Sequence, residues 1–219
     1  FRSPLSDMLF NDLPDKDNAC KSFSINPDRY SILYAPSFEY CSSLATAGEE
    51  IIDCLLNENI NLIFKPHPAF YKTYKSMDTT EKIEVNINDW ITKISEYKKK
   101  DNFVFSYENN LNMQSAMAAA DIMLTDYSGV AFDGILLDKK MIFWDCPKFF
   151  NEYLPQRYGL DPAKVKNDLA CNAGRNAGIV VRDCNELVKA IKYYINNPDY
   201  LAKERADISQ QLLFNPGKA

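Results

Sequence analysis

From Ser31 onward, short apolar runs alternate with longer amphipathic stretches. Ile32–Ala35 and Asn61–Phe64 read as buried strands, and Glu49–Leu56 between them reads as a helix. A second round predicts a helix over Asp89–Lys99, with Trp90, Ile91, Ile94 and Tyr97 on one face, and a strand at Phe103–Phe105. Asn112–Ala120 reads as a helix, Ile122–Leu124 as a strand, Val130–Leu137 as a helix and Met141–Trp144 as a strand. The last round is a strand at Ile179–Val181 and helices over Asn185–Ile195 and Asp199–Leu213, separated by Pro198. This alternation implies βαβ units with right-handed crossovers and a mostly parallel sheet. Such sheets bind ligands beyond the carboxyl ends of their strands, near the switch point. The first thirty residues carry Pro4, Pro14 and Pro27 and no sustained periodicity, so residues 1–30 read as a linker or domain-junction segment and 31–219 as one domain.

Composition narrows the partners. A hydrophobic content of 46% over 219 residues is enough for a substantial core. The net charge of −5, with basic residues only in short runs such as Lys98–Lys100, argues against nucleic acid as a partner. Six cysteines are scattered singly and His67 is the one imidazole, so no metal site is expected. Single cysteines suit free thiols in a reducing cytosol better than a disulfide framework. No apolar run approaches the ~20 residues of a membrane span. The chain starts at Phe1 rather than Met and stops at Ala219, which reads as an excised domain.

Three strand-end loops carry candidate chemistry. In Lys65-Pro66-His67-Pro68 each residue before a proline is held extended, so a rigid loop projects a cation and an imidazole. That pairing suits a phosphoryl group or a proton transfer, although a rigid surface turn would look the same. Thr125-Asp126-Tyr127-Ser128-Gly129 leads from strand into helix, where free N–H groups and the helix dipole make an anion site. Ser128 or Asp126 can cap that helix, and Gly129 allows a close backbone approach. A carboxylate beside a phosphate is unfavourable, so Asp126 is expected to hold N–H groups or a hydroxyl. Asp133, one turn further on, is either a site residue or an exposed acid that complements the dipole. Ala35-Pro36-Ser37-Phe38 follows the first strand and gains weight only from sharing the same sheet edge. Sequential βαβ units are often neighbours, which would place His67 near the Ser128 loop. Asn172–Gly178 reads as a plain connector before the last strand.

The sequence resembles the C-terminal domain of the CDP-glycerol glycerophosphotransferase family, bacterial enzymes of teichoic acid synthesis. The likeness is carried by Arg2–Asp7, Ile32–Ser37, Lys65–Pro68, Asn215–Ala219 and above all Ala120–Asp133 with Leu137-Asp138 and Ile142-Phe143. The family's second serine is Gly129 here, and its tryptophan after the first-strand loop is Phe38. The resemblance implies a Rossmann-like sheet, the C-terminal half of a GT-B-type transferase, with the acceptor site in a preceding domain. It implies that CDP-glycerol binds at Pro36, Ser37, Lys65, Thr125, Asp126, Tyr127, Ser128, Gly129 and Asp133, with His67 catalytic and no cofactor required. A surface-polymer or lipid-linked acceptor hydroxyl would attack the glycerol-bearing phosphorus and CMP would leave, with the general base supplied by the preceding domain. The implied location is cytoplasmic, compatible with a peripheral place at the inner face of the plasma membrane. Two other functions fit the same loops: a nucleotide-sugar glycosyltransferase for capsule or surface polysaccharide, and a nucleotide-binding module without turnover.

Overall fold

The computed structural model describes residues 13–68, 70, 87–106, 112–165, 168–172 and 174–212. Six parallel strands form one sheet: β1 (Tyr30–Tyr34), β2 (Ile60–Phe64), β3 (Phe103–Phe105), β4 (Ile122–Thr125), β5 (Lys140–Trp144) and β6 (Gly178–Val181). Their spatial order is β3-β2-β1-β4-β5-β6, so the strand order reverses between β1 and β4. The helices are α1 (Lys16–Phe23), α2 (Ser43–Leu56), α3 (Ile87–Tyr97), α4 (Met113–Ala119) and α5 (Val130–Leu136). They continue with α6 (Leu154–Tyr158, after a π-helical turn at Phe149–Tyr153), α7 (Pro162–Val165), α8 (Leu169–Asn172), α9 (Cys184–Asn196) and α10 (Ala202–Leu212).

Strand side chains alternate between two cores. Ile32, Leu62, Phe64, Leu124 and Ile142 pack against α2, α3 and α9 on one face. Leu33, Ile63, Met123, Met141 and Phe143 pack against α1, α4, α5 and α10 on the other. Because both faces of the central strands are covered, those strands read as mostly apolar runs, which makes them legible in the sequence. Gly134 lets α5 lie close on the sheet, since a Cβ there would come within 2.6 Å of the Met123 sulfur.

The structure corrects three expectations. The segment before residue 31 contains α1, capped by Asp15, which accepts from the Asn18 N–H at 2.8 Å. Its Ala19, Cys20 and Phe23 are buried beside α4. Ile91 does not share the buried face of α3; it is 38% exposed while Trp90, Ile94 and Tyr97 are buried. One residue turns a helix by about 100°, and that rotation carries Ile91 away from the sheet. The helix expected from Glu49 begins six residues earlier, where the Ser42 hydroxyl caps the Ala45 N–H at 3.2 Å. Expectations on Arg2–Asp7, Leu213 and Asn215–Ala219 lie outside the described residues.

Candidate functional site

Strands β1, β2 and β4 end at the same edge, and their ladders run on into the loops. The Ala35 N–H donates to the Leu124 carbonyl and the Lys65 N–H to the Tyr34 carbonyl, each at 2.9 Å. Beyond them lies a cavity of about 200 Å³ lined by Ala35, Pro36, Lys65, Pro66, His67, Pro68, Met113, Ser128 and Val130. β2 and β4 are not neighbours, contrary to the sequence expectation; β1 lies between them. Residues of both loops, Lys65 to Pro68 with Ser128 and Val130, nevertheless line one cavity, with Ala35 and Pro36 of the β1 loop between them.

Lys65 is half-buried, and loss of solvent pushes its ammonium pKa down. His67 is exposed, with its ring stacked on Phe38 at 4.5 Å between centroids. The stack fixes the imidazole plane at the cavity wall. Ser128 is buried yet lines the cavity.

Pro36 also lines the cavity, whereas Thr125, Asp126 and Tyr127 make contacts within the scaffold. Asp126 is 0% exposed. Its carboxylate accepts from the N–H groups of Ser37 (3.1 and 3.2 Å), Ser43 (3.0 Å), Tyr127 (2.7 Å) and Ser128 (3.2 Å). The Ser43 hydroxyl donates to it at 2.8 Å and in turn accepts from the Tyr34 hydroxyl at 3.0 Å. Burial pushes the carboxyl up from the ordinary range, and the donors from Ser43, Ser37 and Tyr127 pull the other way. The expectation that Asp126 holds N–H groups and a hydroxyl describes this geometry, but those N–H groups are not those of the following helix. Among the described residues, α5 has no side-chain cap: Gly129 occupies that position without one, so neither Asp126 nor Ser128 caps it. Thr125 donates its hydroxyl to the Ala35 carbonyl at 2.7 Å, tying the β4 end to the β1 loop. Tyr127 stacks on Phe149 at 3.5 Å, and its hydroxyl meets the Cys41 thiol at 3.4 Å. Burial pushes its phenol well up.

Gly129 has φ −57, and a Cβ there would meet nothing within 4 Å, so the described backbone does not require glycine. Asp133 is half-buried rather than exposed, and desolvation raises its carboxyl from 3.8 to about 6. Sequence reasoning missed Met113 in the lining and Ser43 as a holder of Asp126. The pair Ser42-Ser43 ahead of an apolar helix was the available signal for the second.

An open six-stranded parallel sheet with helices on both faces and a cavity at its switch point is the Rossmann-like architecture of GT-B-type transferases. The chain matches the CDP-Glycerol:Poly(glycerophosphate) glycerophosphotransferase family over residues 3–215, and it belongs to that family. Among solved structures it is similar to the wall teichoic acid polymerase TagF, with a TM-score of 0.57 and 17% identity over 92% of this chain and 44% of that one. A point variant of that polymerase gives a TM-score of 0.60 and 16% identity, over 98% of this chain and 47% of the polymerase. The likeness shows the fold, and the chain spans less than half the length of those polymerase chains. No curated protein matches the sequence. Among the described residues no helix is long and apolar enough to cross a membrane.

Proposed function

We propose that this chain binds CDP-glycerol in the cavity between the Lys65–Pro68 and Ser128–Val130 loops, as the donor-binding half of a glycerophosphotransferase. The observation that carries the reading is the convergence of an ammonium, an imidazole and a hydroxyl on one cavity at the switch point, in a chain of this family. An acceptor hydroxyl, held by the rest of the enzyme and giving its proton to a general base there, attacks the phosphorus that bears glycerol. The bond from that phosphorus to the bridging oxygen breaks, and CMP leaves with the electron pair. Lys65 and His67 offset the charge that develops on the leaving phosphate. In this reading no cofactor is required, since those two side chains supply positive charge and a hydrogen-bond donor.

Calorimetric titration of the chain with CDP-glycerol, CDP and UDP tests the reading. Preference for the cytidine ligands is expected. Equal affinity for UDP transfers the assignment to a nucleotide-sugar glycosyltransferase, and binding of none overturns donor binding altogether. The isolated chain should show no turnover even when it binds donor, since the acceptor must be held in place for attack.

A further inference from the structure

Away from this cavity, α2 and α9 pack side by side on one face of the sheet and bring two thiols together. Cys54 lies in the C-terminal turn of α2, and Cys184 is the first residue of α9. The Cys54 sulfur is 3.8 Å from the Cys184 carbonyl oxygen, and the Cys184 sulfur is 3.5 Å from the carbonyl oxygen of Glu50, one turn before Cys54. Each sulfur therefore sits against the backbone of the helix that carries the other. Both residues are half-buried, whereas Cys20, Cys41 and Cys146 are buried. Closing the pair brings the sulfurs to the ~2.05 Å of a disulfide.

We propose that Cys54 and Cys184 form a covalent modification site, a dithiol that thiol–disulfide exchange with a low-molecular-weight disulfide closes into a bridge between α2 and α9. The steps balance. The Cys184 thiolate attacks one sulfur of the disulfide and expels the first small thiolate. The Cys54 thiolate then attacks the Cys184 sulfur of the mixed disulfide and expels the second. Two protein thiols are oxidised, the small disulfide is reduced to two thiols, and the two protons released end on those thiols. Cys184 attacks first because its sulfur lies on the exposed side of the pair, where a small disulfide can reach it, whereas the Cys54 sulfur is part-buried. Burial pushes both thiols up from their ordinary range, so the exchange is slow in neutral solution and is best followed at mildly alkaline pH.

The bridge would close a loop of roughly 130 residues, which restricts the unfolded chain far more than the folded one. The test uses oxidised glutathione as the probe, with peptide mapping under non-reducing conditions and thermal unfolding before and after. The expected result is a peptide pair joining Cys54 to Cys184, a loss of two hydrogens from the intact protein, and a Tm raised by roughly 5–10 °C. Dithiothreitol should reverse all three. In Cys54→Ser the glutathione should stay on Cys184, because the resolving thiol is gone. The proposal is overturned if glutathione remains on Cys184 in the unsubstituted chain, if the bridge joins another pair, or if the bridged form melts no higher than the reduced one.

Discussion

Removing the Asp126 carboxylate should damage the scaffold before it damages ligand binding. Its two oxygens satisfy four backbone N–H groups and the Ser43 hydroxyl, all drawn from the β1 loop, the start of α2 and the β4 loop. Asp126→Ala strands those donors in a site closed to water. Each buried donor left unpaired costs about 1–3 kcal/mol, though the terms overlap because the loops relax together. Relief from burying a charge offsets part of the loss. The net expectation is a destabilisation of about 3–5 kcal/mol, a large share of the ~5–15 kcal/mol of a typical domain. Asp126→Asn keeps one acceptor oxygen but turns an amide toward N–H donors, so about 2–4 kcal/mol is expected. Urea unfolding reports this directly, with Trp90 and Trp144 as buried fluorophores. A loss below about 1 kcal/mol in both variants would refute the staple argument. So would an Asp126→Asn protein of normal stability that no longer binds CDP-glycerol, because that result makes the carboxylate a ligand contact.

Three further outcomes follow from other positions. Asp133 has a folded-state carboxyl raised from 3.8 to about 6, so its neutral form favours the fold, and this contribution is present below the unfolded value and lost as pH rises through about 6. Asp133→Asn should therefore flatten the fall in stability between those two values and stabilise the chain above them by about 1–2 kcal/mol, after discounting for partial exposure; an unchanged pH profile of urea midpoints counts against it. Gly129→Ser should change stability by less than about 0.5 kcal/mol, and the added hydroxyl should tighten CDP-glycerol by roughly threefold to tenfold in calorimetry; weaker binding would show that the ligand needs the bare backbone. In the full-length enzyme His67→Ala should lower kcat by roughly 10²–10⁴ with a smaller change in donor affinity, and wild-type turnover would return His67 to the role of a rigid turn.

The β strands were legible because burial on both faces leaves unbroken apolar runs, and β3 was bounded correctly at Phe103–Phe105. Helix α1 was not, since Ala19, Cys20 and Phe23 are too few and too interrupted by charge to signal burial without the surface they dock on. The stretch from Phe149 to Asn172 folds into short turns of helix that no local period announces. In the candidate site, the Lys65–Pro68 loop could be read from its prolines, because they act on adjacent residues. The work of Asp126 could not, because its partners Ser37 and Ser43 lie 89 and 83 residues away in the chain and meet it only once β1 and β4 pair. The adjacency argument for His67 and Ser128 assumed the wrong strand order, and the two residues reached the same cavity across an intervening strand.

That intervening strand makes the cavity a trough whose walls are set by the sheet. The Lys65–Pro68 wall stands on β2 and the Ser128–Val130 wall on β4, with Ala35 and Pro36 of the β1 loop as the floor. Two inter-strand spacings separate the walls at their bases, roughly 9.5 Å, and hydrogen bonding between strands does not let that distance vary. Side-chain substitution changes the gap between the walls but leaves the spacing of their bases as it is. Under the proposed donor binding, the diphosphate lies between those two walls. Under that same proposal, discrimination between one nucleotide-linked group and another falls to lining side chains such as Met113 and His67, which can change while the strand spacing cannot.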